Sequence, residues 1–387
     1  MSVLAPAGFQ ATGASTGIKG GGRLDAALII ADKPATSVAV FTQNKAPAAP
    51  VQVSRQHLVA SNHAINGVLL TSGNANAATG QSGIDVVNTL LGDVADSLAC
   101  SADSLLICQT GLIGIPFPLD AAREGVRHLS ESLGSAPEDG DRAAEAILTT
   151  DTFAKEVVIK GDGFVVGAMA KGAAMLAPNM ATMLAVITTD AAVDASVLQD
   201  LLVTAVAQSF NALDVDGATS TNDTVIVMAS GVAGPVNECA LGDALNAACL
   251  KLAEYMAFDA EGATKAVRIH VSGASTDDQA HQGARKVANS LLVKCSLNGE
   301  DPYWGRVLSE IATAGIECNP STTTIAYGGI VVSQGGVAVD HDAAAVAAHL
   351  EERWNSIEID LGLGGGVGSI LTTDLGHGYI DENRGTS

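Results

Sequence analysis

The stretch Lys171-Gly-Ala-Ala-Met-Leu-Ala-Pro-Asn-Met-Ala-Thr182-Met-Leu-Ala-Val-Ile-Thr-Thr-Asp190 decides how the rest of the chain is read. A Pro178-Asn179 turn signal runs into small residues and then into an apolar, β-branched run, so Thr182 stands at the start of a strand. A hydroxyl there can attack the carbonyl carbon of Ala181. An ester replaces the Ala181–Thr182 peptide bond, water hydrolyses it, and Thr182 is left with a free α-amino group. That amine has a reference pKa of about 7.7–8.0, so near neutral pH it can take the hydroxyl proton and generate a nucleophile without a histidine. By periodicity alone, a threonine after a turn reads as ordinary β structure rather than as a nucleophile.

Short apolar runs flank this stretch on both sides. Residues 26–31, 37–41, 51–53, 67–70, 104–108, 164–169, 183–188, 225–228 and 267–271 read as strands, whereas 84–98, 119–133, 192–210, 240–258 and 342–355 carry helical spacing. The class is mixed α/β. At 387 residues the chain exceeds the size at which one core keeps growing, which predicts two lobes or domains. The glycine runs Gly20–Gly22 and Gly364–Gly366 lack the Lys-Ser/Thr that completes a phosphate loop and read as tight turns.

Composition narrows the function. With 42 Asp+Glu against 20 Lys+Arg the net charge is -22, and no basic patch exists to neutralise phosphates, so a nucleic-acid partner is disfavoured. Cys100, Cys108, Cys239, Cys249, Cys295 and Cys318 are scattered without Cys-x-x-C spacing, which suggests reduced thiols rather than zinc or a disulfide framework. Residues 1–12 lack the basic and apolar regions of a signal peptide, and no apolar run reaches about 18 residues, so no membrane span and a cytoplasmic location are expected. The eight histidines fall singly and no Gly-x-Ser-x-Gly or His-Glu-x-x-His motif occurs, which leaves neither a histidine triad nor a metal site.

Several separated blocks occur together and in order: Ser72-Gly-Asn-Ala-Asn76, Cys108-Gln-Thr-Gly-Leu-Ile-Gly114, Thr149-Thr-Asp-Thr152, Lys171 onward through Leu184, Ser220-Thr-Asn-Asp-Thr224, Glu261-Gly-Ala-Thr-Lys265 and Asp301-Pro-Tyr-Trp-Gly-Arg306. Through them the chain resembles the ornithine acetyltransferase family, also called glutamate N-acetyltransferase, over nearly its whole length. The resemblance implies a two-lobed α/β sandwich, self-cleaved at Ala181–Thr182 into an α chain of residues 1–181 and a β chain of residues 182–387, with two such pairs forming an α2β2 assembly. It implies that Thr182 is the nucleophile, that Thr110 and Gly111 form the oxyanion hole, and that Thr149, Lys171, Thr182, Glu261 and Asn383 bind substrate.

The implied reaction carries an acetyl group from N-acetylornithine to glutamate through an acetyl-Thr182 intermediate, with no metal or organic cofactor; some members also accept acetyl-coenzyme A. The charges suit it. Lys171 could pair with an amino-acid carboxylate and a carboxylate such as Glu261 with an ammonium. The chain departs from the family pattern at Ala78, where a cysteine is common, at the loop Ser-Leu-Asn-Gly-Glu before Asp301, and in its ending after Asn383. Rival readings are a hydrolase or aminopeptidase with the same terminal nucleophile, an acetyltransferase of secondary metabolism, and an uncleaved binding protein.

Overall fold

The computed structural model describes residues 3–176 and 183–384. The Ala181–Thr182 bond and the Pro178-Asn179 turn signal lie outside those residues.

Eight strands make the first sheet: β1 (Phe9–Ala14), β2 (Ala26–Phe41), β3 (Ala64–Asn74), β4 (Leu105–Leu112), β5 (Lys155–Lys160), β6 (Val165–Lys171), β7 (Leu184–Ala192) and β8 (Thr224–Pro235). Their order is β4-β3-β2-β8-β7-β6-β5, with β1 on β2. The pairs β3/β4 and β7/β8 are parallel, which requires a crossover in each case. Between these strands in the chain run helices α1 (Ala49–Ala60), α2 (Gly80–Leu98), α3 (Leu119–His128), α4 (Pro137–Ala146) and α5 (Ala195–Gln208), and α6 (Glu238–Phe258) follows β8.

The sheet is folded over on itself. Thr110 in β4 and Lys171 in β6 are five strands apart in the order given, which in a flat sheet would separate them by roughly 24 Å at about 4.8 Å per strand. Their side chains are 3.3 Å apart. The bend runs through β2, whose pairing with β3 shifts register between Ile30 and Ala35, and whose far half, Thr36–Phe41, pairs with β8. Asp32, Lys33 and Pro34 are exposed at the irregularity, the kind of site where a strand tolerates proline. The sequence suggested two strands here; the polar insert is a bulge inside one.

Three buried clusters give the layers. Val87, Leu91 and Val126 of α2 and α3 pack on Leu28, Leu69 and Ile107 of β2–β4. Val68, Leu70 and Leu106 meet Met169, Val186 and Ile226 between the two sheet halves. Leu202, Leu245 and Leu252 of α5 and α6 cover Ala168, Ile187 and Val227 on the far side. Burial of apolar surface in three stacked layers drives this αββα arrangement.

The second lobe is a six-stranded sheet with a parallel pair at its centre, Trp354–Asp360 against Ala266–Ala274, flanked by Gly366–Thr373 and Thr324–Tyr327. Helix α7 (Asp277–Ala288) packs on it through Ala280, Ala284 and Val287. The lobes do not follow the expected fragments. Strands β7 and β8 come after residue 182, yet they lie between β2 and β6 inside the first sheet.

Two expectations need correction. Residues 51–53 belong to α1, where Pro50 in the first turn starts a helix and the two valines fall on its buried face. The 342–355 helix is shorter, Ala343–Glu351, because Trp354 already begins a strand. No helix among the described residues is long and apolar enough to cross a membrane.

Candidate active site

Thr110 and Gly111, near the end of β4, stand opposite Ser72 and Gly73 of the parallel β3. Lys171 ends β6, and β7 and β8 begin alongside it. The folded sheet brings these ends together around a cleft of about 780 Å³. Leu112, Ile113, Ile115 and Pro116 give one wall; Lys19, Asn74, Thr110, Thr149, Lys171, Glu261 and Asn383 supply polar groups. Six of the expected site residues, Thr110, Gly111, Thr149, Lys171, Glu261 and Asn383, therefore share one cavity. Thr182 and Ala181 lie outside the described residues. The next residue, Met183, is buried, and its N–H donates to Asp223 Oδ1 at 3.0 Å.

Gly111 has φ +130, and a Cβ there would fall 2.3 Å from the carbonyl carbon of Gly73. Only glycine fits both the dihedral and the contact with β3. Gly111→Ala must push the strand ends apart, so turnover of a substrate bound in the cleft is expected to fall by about tenfold or more with a lowered unfolding midpoint, read by initial rates and thermal denaturation.

Lys171 is buried. Its Nζ donates to Thr110 Oγ1 at 3.3 Å and stands 4.0 Å from Asp151 Oδ2. Burial lowers its pKa from the ordinary lysine value, and the Asp151 charge works the other way. Asp151 accepts from Gly172 N and from Lys155 Nζ, both at 2.7 Å, and Lys155 pairs in turn with Asp259 Oδ2 at 2.5 Å. Burial alone would raise the Asp151 pKa, but the Lys171 and Lys155 charges and the Gly172 amide outweigh it and bring it down to about 2. Thr149 N–H donates to the same carboxylate at 3.2 Å.

Across the cleft, Glu261 Oε2 accepts from Asn383 Nδ2 at 2.9 Å, and Glu261 N–H donates to Ala173 O at 2.9 Å. Gly262 next to it has φ +62, and a Cβ would fall 2.0 Å from the Gly378 carbonyl carbon, so the terminal helix lies directly on this loop. Tyr379 OH on that helix donates to Asp216 Oδ2 at 3.2 Å, which also accepts from Met175 N at 2.7 Å.

Sequence reasoning missed Lys19, Asn74, Asp151, Asp216 and Asp223. Asn74, Asp151 and Asp223 fall inside quoted blocks, which was the available signal; Lys19 and Asp216 had none. Burial lowers the Lys19 pKa to about 8, and its Nζ donates to Leu24 O and Leu148 O. Burial pushes the Asp223 carboxyl well above the ordinary range, against the pull of the Met183 amide. With Lys19, Arg23 and Lys171 among the lining residues and Glu261 opposite, the cleft can hold a ligand that carries both a carboxylate and an ammonium.

The ArgJ family profile matches residues 10–385. The arginine biosynthesis bifunctional protein ArgJ of Thermobifida fusca is 43% identical over 390 residues, covering 100% of both chains. That of Mycolicibacterium paratuberculosis is 43% identical over 393 residues, covering 100% of this chain and 96% of its own. Among solved structures, the arginine biosynthesis bifunctional protein ArgJ of Bacillus halodurans aligns at 36% identity with 51% of this chain and 96% of its own, with a TM-score of 0.49.

Proposed function

The chain belongs to the ArgJ family, and from that premise we propose that it is a self-cleaving acetyltransferase of arginine biosynthesis, moving an acetyl group from N2-acetylornithine to glutamate. The observation that carries this reading is the gathering of Thr110, Gly111, Thr149, Lys171, Glu261 and Asn383 around one cleft, from five separate parts of the chain.

In this reading the Ala181–Thr182 bond is cut, and the Thr182 hydroxyl attacks the acetyl carbonyl while its own α-amine takes the proton. The Thr110 hydroxyl and the Gly111 N–H donate to the oxygen that becomes negative. The C–N bond to ornithine breaks, the departing amine takes a proton, and an acetyl ester remains on Thr182. The glutamate amine then attacks the ester, and N-acetylglutamate leaves. Lys171 faces the amino-acid carboxylate, Glu261 and Asn383 face the ammonium, and Thr149 closes the same wall. Fragments 1–181 and 182–387 stay together through the shared first sheet and pair into α2β2. The reaction uses no metal or organic cofactor, acetyl-coenzyme A is a second acetyl donor, and the enzyme works in the cytoplasm.

Incubation of the purified protein with N2-acetylornithine and glutamate tests this. Ornithine and N-acetylglutamate should appear in equal amounts, and double-reciprocal plots should give parallel lines, because one site serves both substrates in turn. Free acetate without N-acetylglutamate would make the protein a hydrolase, and converging lines would require two adjacent sites. Release of coenzyme A in a parallel assay reports the second donor.

A further inference from the structure

Asp151 does not line the cleft, yet its side chain is fully buried and touches both the side chain and the backbone of the Lys171 segment. We infer, on the basis of the acetyl-transfer reading above, that Asp151 is a positioning residue: it holds the Lys171 ammonium against Thr110 Oγ1, so that the Thr110 hydroxyl accepts from lysine and keeps its own proton for the substrate oxygen.

The argument is one of donors and acceptors. An ammonium can only donate, whereas a hydroxyl has one proton to give. While Lys171 is charged, Thr110 Oγ1 must accept at the 3.3 Å contact, and its O–H is free to turn into the cleft that Thr110 lines. A neutral amine could accept from Thr110 instead, and the hydroxyl proton would then point away from the cleft. The charge on Lys171 thus sets the direction of the donor.

That charge is opposed by burial. Five groups act on it: Asp151 ahead of β5, Glu261 after α6 and Asp223 ahead of β8 favour the ammonium, while Lys155 on β5 and Lys19 ahead of β2 oppose it. Asp151 is the one carboxylate within 4.0 Å of Nζ among the described residues. It also accepts from Gly172 N, the residue after Lys171, so one carboxylate fixes both ends of the lysine. Lys155 has Asp259 as a second counter-ion, with Thr152 bonded to the same carboxylate, so neutralising Lys155 does not by itself account for Asp151.

Asp151→Asn tests the assignment, since asparagine keeps the shape and an acceptor oxygen but removes the charge. Once intact mass shows both fragments, kcat and KM for acetyl transfer are measured across pH. At neutral pH kcat should fall about tenfold or more, KM for glutamate should rise because Lys171 also faces its carboxylate, and the alkaline fall in kcat should begin at lower pH, because Lys171 loses its proton more easily. In a Thr110→Val background, which has no hydroxyl to orient, the same change should lower kcat by less than about twofold.

Wild-type kcat in Asp151→Asn, or an equal loss in both backgrounds, would overturn the inference. If the asparagine variant is insoluble or stays uncut, Asp151→Glu replaces it: there kcat should fall about fivefold with the alkaline limb unmoved, and a kcat equal to wild type overturns the assignment. No acetyl transfer by the wild-type protein would instead refute the proposed function itself, and this role with it.

Discussion

Replacing Thr182 with alanine is expected to leave a single 387-residue species in place of two fragments and to lower acetyl transfer by about 10⁴-fold or more. Both losses have one origin. In the proposed mechanism the hydroxyl that attacks the Ala181 carbonyl during self-cleavage is the one that later attacks the acetyl group, and the amine that serves as its base does not exist until the bond is cut. Thr182→Ser keeps the hydroxyl and should retain part of both activities. Intact-mass measurement and the transfer assay read the two outcomes separately. Full-length chain in an active wild-type preparation would remove the terminal amine from the mechanism.

The second large effect is expected at Thr110. Valine keeps the shape of threonine and its packing against β3, but it offers no proton to a developing oxyanion, so kcat should fall by about 10²-fold with little change in KM. Thr110→Ser should recover most of the loss because it restores the hydroxyl. The pair of variants separates the hydroxyl from the mere space the side chain fills. A kcat that survives in the valine variant would leave the Gly111 amide as the donor and move the second donor elsewhere.

Much of this site was legible because its residues sit in short, ordered blocks that can be read without knowing the fold. Thr110, Gly111, Lys171 and Glu261 are of that kind. Asp151 lies in such a block too, but its importance depends on Lys155 four residues later and on Lys171 and Asp259 far along the chain, contacts that exist only after the sheet folds over. Asp216 and Lys19 carried no local signal for the same reason. In the fold, helical and strand periodicity placed most elements, and it failed where a local pattern was ambiguous. Val51 and Val53 alternate as in a strand, and Pro50 ahead of them was the overlooked helix start. Asp32 to Pro34 looked like a break between strands because exposed polar residues mark a bulge as readily as a loop.

The position of β7 between β6 and β8 has a consequence for how this protein persists. Its strand begins two residues after Thr182, so a cut before Thr182 severs the chain inside a finished sheet, with a hydrogen-bonded ladder on each side. Before the cut, losing the fold is a unimolecular event that the tether can reverse. Afterwards two pieces must find each other in solution, without the high effective concentration that a covalent link supplies. The mature molecule would then be assembled once and kept by the slowness of its unfolding, and dilution alone would decide whether a lost fold returns.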